Sequence, residues 1–357
     1  MEYIICFLIS TIILYLTRKR GRFQGRMLAV LFLSLLAGFR APSVGADTGG
    51  YPLDLFEYGT TCNNLKEFVY YSEFVVYCKE IGYISFVYAV TRFFSSFNIF
   101  LFITSFLVNV CICNFLYWHS RKLKAPLWLM WLSYCFLFYN HTLTLSKQSL
   151  AISFGLIAYI YIIERKIFKG IISQIMSFLM HYSSVFSLTL LVPKIIKGTK
   201  LRIVFLCSFI LIVFGGLYIL NSVISAIPLL DRFNRYTNQS EGDLAIFESL
   251  FRLLVIFWIL LFYRKKMFGV NKQIIGNILF LFVIEFEFFM LNAIYNQAGR
   301  LSFYIFPMYF VYIPFLLSRT KSEINFSYFY VLALVLFWSY TIIYQGSTMT
   351  YPYESIF

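Results

Sequence analysis

A few polar residues in a mostly apolar chain have types and spacings that could do chemistry. Arg40 and Asp47 bracket a stretch rich in Pro and Gly that runs on to Tyr51. Pro and Gly end a helix there, leaving Arg40 and Asp47 on an irregular loop that could approach a ligand closely. The plainer alternative is a helix end with Arg40 resting on lipid phosphate. Lys147 and Gln148 open a later apolar stretch, where the lysine could snorkel to the interface or hold an anion. His181 lies in the uncharged segment Ile171 to Val192. An ionisable group amid such residues suggests function, and imidazole can serve as a general base. A neutral histidine packing two helices is the alternative. Arg232 and Arg235 stand among aromatics, and Arg300 precedes another apolar stretch. Guanidinium groups in such company suit an anionic, partly apolar ligand such as a phosphate-linked sugar. Glu248, Arg252 and Glu285 fit a structural ion pair between helices better than a site.

The elements that must position these groups are membrane helices. The chain is 60% hydrophobic and 13% charged, with a mean hydropathy of +0.76. Soluble domains have roughly 45–50% apolar and about 25% charged residues. The expected class is an all-α, polytopic helical membrane protein of about ten spans, forming a single membrane domain over 1–357. A net charge of +14 does not argue for nucleic acid, because the basic residues lie in short connectors between apolar stretches.

Those connectors are sorted. Arg18 to Arg26, Arg121 to Lys124, Arg165 to Lys169, Lys194 to Arg202, Arg264 to Lys272 and Arg319 to Lys321 hold 21 of the 30 Lys and Arg, with only Glu164 and Glu323 beside them. Basic connectors stay cytoplasmic. That places both termini outside, with outer loops near 40–97 and 221–243. Glu2 precedes the first apolar stretch and Arg18 follows it, the reverse of a secretory signal. Two apolar segments would invert the pattern if each crossed once. Segment 81–95 must therefore dip into or lie on the membrane. Segment 170–192 must break near His181 and turn back, as buried or cavity-lining backbone permits. The outer loop at 40–97 carries Asp54, Glu57, Glu67, Glu73 and Glu80 and should form interfacial helices. An oxidising compartment would permit a bridge between Cys62 and Cys78 in that loop; the other cysteines read as small hydrophobes. No glycine-rich phosphate loop, metal motif or GxSxG is present, so no cofactor or metal is expected.

Several of these segments resemble the EpsG-type branch of the Wzy polysaccharide polymerases. Gly38-Phe39-Arg40 with Gly45-Ala46-Asp47 and Tyr51 resembles that family's outer loop after its second span. Lys147-Gln148-Ser149-Leu150-Ala151 resembles its Arg-Gln-x-Leu-Ala start of a span, with Lys in place of Arg. Phe178 to Ser184 resembles its Phe-His-x-Ser-Ala signature. Gly299 to Tyr304 resembles its late Arg-x-x-x-Tyr motif. The resemblance implies a fold related to GT-C enzymes and a metal-independent glycosyltransferase of the bacterial cytoplasmic membrane. Its substrate would be an undecaprenyl-diphosphate-linked oligosaccharide, joined into O-antigen, capsule or exopolysaccharide. A chain-length regulator joins the expected partners. The expected catalytic residues are His181, Asp47 and Arg300. Arg40, Tyr51, Lys147, Gln148, Arg232, Arg235 and Tyr304 are the expected substrate contacts. A lipid-linked oligosaccharide flippase and an O-antigen ligase are the rival readings.

Overall fold

The described residues of this computed structural model are 1–18, 22–198, 200–208, 246–264, 269–293, 298–320 and 326–356. Their apolar stretches are helical, because in hydrocarbon each backbone N–H and C=O must be satisfied within its own segment. No β-strand occurs among them; extended backbone pairs at one isolated bridge, Arg40 with Ser355. Five helices are long and apolar enough to cross a membrane: Phe97–Leu123, Ser146–Ile163, Ile246–Arg264, Lys272–Met290 and Phe326–Tyr344. A sixth span is gained if Ala298–Tyr304 and Pro307–Arg319, bent by 49°, act together. Pro307 opens the second arm of that bend, a position that tolerates its missing N–H. The chain is a multi-pass membrane protein. The count is lower than the ten expected. The first two apolar stretches form helices of 15 and 17 residues, at or below the ~17 a crossing needs. Most of 201–220 lies outside the described residues.

Two compact units are present: Met1–Val185 with Ile313–Ser318 and Ile324–Phe357, and Phe186–Tyr312 with Arg319–Glu323. In the first unit, the described residues up to Met180 form ten helices in order: α1 Glu2–Leu16, α2 Arg22–Gly38, α3 Tyr51–Thr61, α4 Leu65–Phe74, α5 Ile81–Thr91, α6 Phe97–Leu123, α7 Leu127–Leu137, α8 Tyr139–Thr144, α9 Ser146–Ile163 and α10 Ile167–Met180. The long loop after α2 is helical as expected, in three pieces of 10 or 11 residues. Eleven residues rise only about 17 Å, so α5 is too short to cross. That agrees with the reading of 81–95 as a segment that does not span. The break expected near His181 is present: α10 stops at Met180, His181 is extended, and Tyr182–Leu191 is a 3-10 segment.

The interior of this unit is aromatic and hydrogen-bonded. Trp131 donates to Ser10 Oγ at 3.1 Å, and Tyr134 donates to Asn109 Oδ1 at 2.6 Å. Trp338 donates to Asn140 Oδ1 at 2.8 Å. Each partner satisfies a polar group that would otherwise be costly to bury.

Helix direction defines two ends. Asn98, at the start of α6, donates to the carbonyls of Gly38 and Arg40 at 2.7 and 2.9 Å. The end of α6 meets the end of α9, where Trp118 donates to Glu164 Oε1 at 2.7 Å. Arg40 and Lys147 therefore share one end of the unit, and Arg22, Arg121 and Glu164 share the other. The 27 residues of α6 set the ends about 40 Å apart, close to the thickness of a bilayer with its headgroups.

In the second unit, Ile246–Arg264 and Lys272–Met290 pack together. Arg252 Nε contacts Glu285 Oε1 at 3.0 Å and its Nη1 contacts Glu248 Oε2 at 3.3 Å. Tyr309 donates to Glu285 Oε2 at 3.0 Å, and Phe289 lies under the guanidinium at 3.6 Å. This is the structural ion pair read from the sequence.

Candidate functional site

The convergence point of the first unit is Glu80, a residue not singled out from the sequence. Its Oε1 meets His181 Nδ1 at 2.7 Å and its Oε2 meets Lys147 Nζ at 3.0 Å. Three elements supply these groups. Glu80 precedes the first turn of α5, Lys147 sits in the first turn of α9, and His181 follows the last turn of α10. α5 and α10 can meet this closely because residue 82 is glycine: a Cβ there would lie 2.7 Å from the backbone of Leu179. Gly82 is two residues after Glu80, and Leu179 is two residues before His181.

The electrostatics are consistent with this convergence. A cation in the first turn of a helix faces the positive end of the dipole, and Glu80 offsets that cost for Lys147. Burial pushes the Glu80 carboxyl up. The His181 hydrogen bond, with the charge and hydrogen bond of Lys147, outweighs it, holding the carboxyl at about 2. Glu80 is thus an acceptor for an N–H on His181 Nδ1. Nε2 has no hydrogen-bond partner among the described residues, and the side chain is 25% exposed.

Tyr51 completes the cluster. Lys147 Nζ lies 5.0 Å from its ring centre, and its hydroxyl shares Ser146 Oγ with that of Tyr83, at 3.4 and 3.1 Å. Burial raises the Tyr51 phenol, with the carboxylates of Asp47 and Glu80 adding to the effect. Asp47 itself makes no side-chain hydrogen bond among the described residues and is half-buried. Gln148 is buried one residue after Lys147. Cys78 donates its thiol to Glu80 Oε2 and, like Cys62, is free. The bridge that the sequence would permit is not formed.

Arg40 is at the same end but enclosed, at 3% exposure. Its Nη2 donates to the Leu143 carbonyl at 2.8 Å and to Thr48 Oγ1 at 3.3 Å. Its Nε and Nη1 have no hydrogen-bond partner among the described residues. The C-terminal segment lies over this loop: Ala41 N–H donates to Glu354 O and Gly45 N–H to Met349 O, both at 2.8 Å. Gly45 has φ +104°, and a Cβ there would lie 2.6 Å from Thr48 Oγ1. Glycine is what lets this turn close around Arg40.

Arg300 and Tyr304 belong to the second unit, on the 3-10 segment Ala298–Tyr304, with Arg300 half-buried and Tyr304 buried. Arg232 and Arg235 lie outside the described residues. The structure thus brings together Tyr51, Lys147 and His181 of the expected set, adds Glu80, and places Asp47, Gln148 and Arg40 around them. Among the described residues no three His, Cys, Asp or Glu side chains converge as a metal site would require.

No curated protein and no solved structure matches the chain. One family model does, described as the EpsG family, over residues 26–355. With nearly its whole length covered, including every element that carries the cluster around Glu80, this chain belongs to the EpsG family.

Proposed function

We propose that this chain is a polysaccharide polymerase, joining undecaprenyl-diphosphate-linked oligosaccharide repeat units on the outer face of the bacterial cytoplasmic membrane. Membership of the EpsG family supports a polysaccharide polymerase-type membrane protein. The observation that carries the chemistry is the contact of Glu80 with His181, with Lys147 alongside. A carboxylate that accepts from Nδ1–H leaves the lone pair of the neutral ring on Nε2. That nitrogen takes the proton of the acceptor hydroxyl on the non-reducing end of a new unit. The acceptor oxygen bonds to the anomeric carbon of the growing chain, and the bond from that carbon to the diphosphate oxygen breaks. The electron pair leaves on undecaprenyl diphosphate.

Negative charge developing on the leaving diphosphate calls for cations held in place beforehand. Lys147 spends one donor on Glu80 and has two left. Gln148 is a further donor beside Lys147, and Arg300, Arg232, Arg235 and Tyr304 keep the roles that the family resemblance implies for them. Asp47 and Tyr51 are assigned to the sugar. Arg40 holds the Leu143 carbonyl and so fixes the turn that delivers Lys147. The sorted basic connectors support an outer location for the site; a fold of the GT-C type is what the family resemblance implies.

In cells, His181→Gln at normal protein level should accumulate single lipid-linked repeat units in the outer leaflet and no long chains. Polymer of wild-type length from that strain would remove His181 as the base. Units held in the inner leaflet would point to transport instead.

A further inference from the structure

At the end of the first unit opposite Glu80, Arg18, Arg22, Arg26 and Arg121 line a cavity of about 320 Å³. Thr17, Tyr117 and Ser120 add to its polar wall, and among the described residues no acidic side chain lines it. None of the four guanidinium groups is in an ion pair among the described residues. They are nevertheless held in place. Arg22 Nε donates to the Arg18 carbonyl at 2.8 Å. Arg26 Nη1 donates to Asn114 Oδ1 at 3.2 Å, with its guanidinium 3.9 Å from the Tyr117 ring centre. Arg121 Nη1 donates to the Tyr117 hydroxyl at 3.3 Å, and Arg18 stacks on Tyr15 at 4.0 Å. Tyr117 thus aligns two of the arginines, and each of the four retains N–H donors beyond those bonds.

Four like charges around one cavity repel one another, and an anion between them relieves that repulsion. The neighbouring carboxylate, Glu164, is already engaged by Lys166 at 2.7 Å and by Trp118. It lines an adjacent cavity that shares Arg26, Tyr117 and Arg121. We propose that the cavity ringed by Arg18, Arg22, Arg26 and Arg121 binds an anionic phosphate, as the headgroup of an acidic lipid or as free phosphate. Planar, forked donors match phosphate oxygens. The volume falls in the range of small-ligand pockets, roughly 300–1,000 Å³. The lipid source is favoured by Leu16 and Phe23, exposed at 71% and 63% beside the arginines, where acyl chains would lie. Basic pockets between helices at a membrane surface take such headgroups. The site is separate from the Glu80 cluster and does not depend on the proposed polymerisation.

The test uses the purified full chain in neutral detergent. Retention of dioleoylphosphatidylglycerol against dioleoylphosphatidylcholine is read by native mass spectrometry, with sodium pyrophosphate as the free-phosphate probe. The acidic lipid should be preferred, and Arg26→Gln with Arg121→Gln should lower its retention about tenfold or more, since these are charge-assisted contacts. Lys169→Gln with Lys197→Gln removes the same charge from exposed positions that do not line the cavity and should change little. Pyrophosphate that displaces the lipid supports the headgroup as the source. Pyrophosphate binding that is lost in the Arg26/Arg121 variant, without lipid preference, supports free phosphate. Equal retention by wild type and the Arg26/Arg121 variant, or equal losses in the two double variants, overturns the proposal. Arg121→Gln alone, on the exposed last turn of α6, decides in the same way if the double variant does not fold.

Discussion

Glu80 accepts from His181 and from Lys147, and these two partners set its protonation. Its carboxyl sits at about 2 in the folded chain against an ordinary 4.5. A carboxyl depressed on folding contributes stability that is complete above the unfolded value and is lost as pH falls through the folded one. The difference in thermal unfolding between wild type and Glu80→Gln should therefore hold down to pH ~4.5, fall to roughly half by pH ~3 and be largely gone by pH ~2, by that linkage. A difference unchanged at pH ~3 would show that Glu80 is not ionised by these partners. Glu80→Gln should also cost turnover, since it frees His181 to take the other tautomer. A loss on the order of 100-fold in kcat, with KM little changed, matches the lower range for general acid–base catalysis. A change in KM alone would make Glu80 a binding residue. His181 and Lys147 were legible in the sequence because each breaks a local pattern: a histidine in an uncharged stretch, and a cation where outer connectors disfavour one. Glu80 was not, being one of several acids scattered through the loop without periodicity. The one signal was indirect, since Lys147 so placed required an acidic partner.

At the scale of elements, the site depends on how closely α5 approaches α10. Gly82 permits that approach, and its importance was hidden because the two helices are remote in sequence. Gly82→Ala puts a methyl group against the Leu179 backbone. Overpacking of this kind commonly costs about 1–3 kcal/mol, and here it also pulls Glu80 from His181. Gly82→Ala should lower the unfolding temperature and shorten polymer in the same direction as Glu80→Gln. Gly198→Ala, with nothing nearer than 3.7 Å to the added carbon, should do neither. Polymer of normal length from Gly82→Ala would show that the approach does not position the pair. The break at His181 and the short α5 were legible, because connector charge left few crossings to choose from. Helix lengths were less so: α7 ends at Leu137, within the stretch 126–140 read as one span, and α8 resumes at Tyr139. The turn around Arg40 was read as an open loop, and the structure closes it with the C-terminal segment, a contact no local pattern signals.

At the scale of the molecule, the account requires the two ends of the first unit to face opposite sides of the membrane. Single cysteines at Lys122 and Lys197, in a background lacking native thiols, should resist a membrane-impermeant reagent in intact cells. A cysteine at Asn63 should label. The reverse pattern would place the Glu80 cluster in the cytoplasm, where the proposed polymerisation does not occur. The most direct test is reconstitution. Purified chain in liposomes, given undecaprenyl-diphosphate-linked repeat units, should release undecaprenyl diphosphate in step with chain growth. His181→Gln should bind those units and form no polymer. A wild-type protein that moves the units across the bilayer without joining them, or a His181→Gln protein that polymerises at the wild-type rate, would contradict the account.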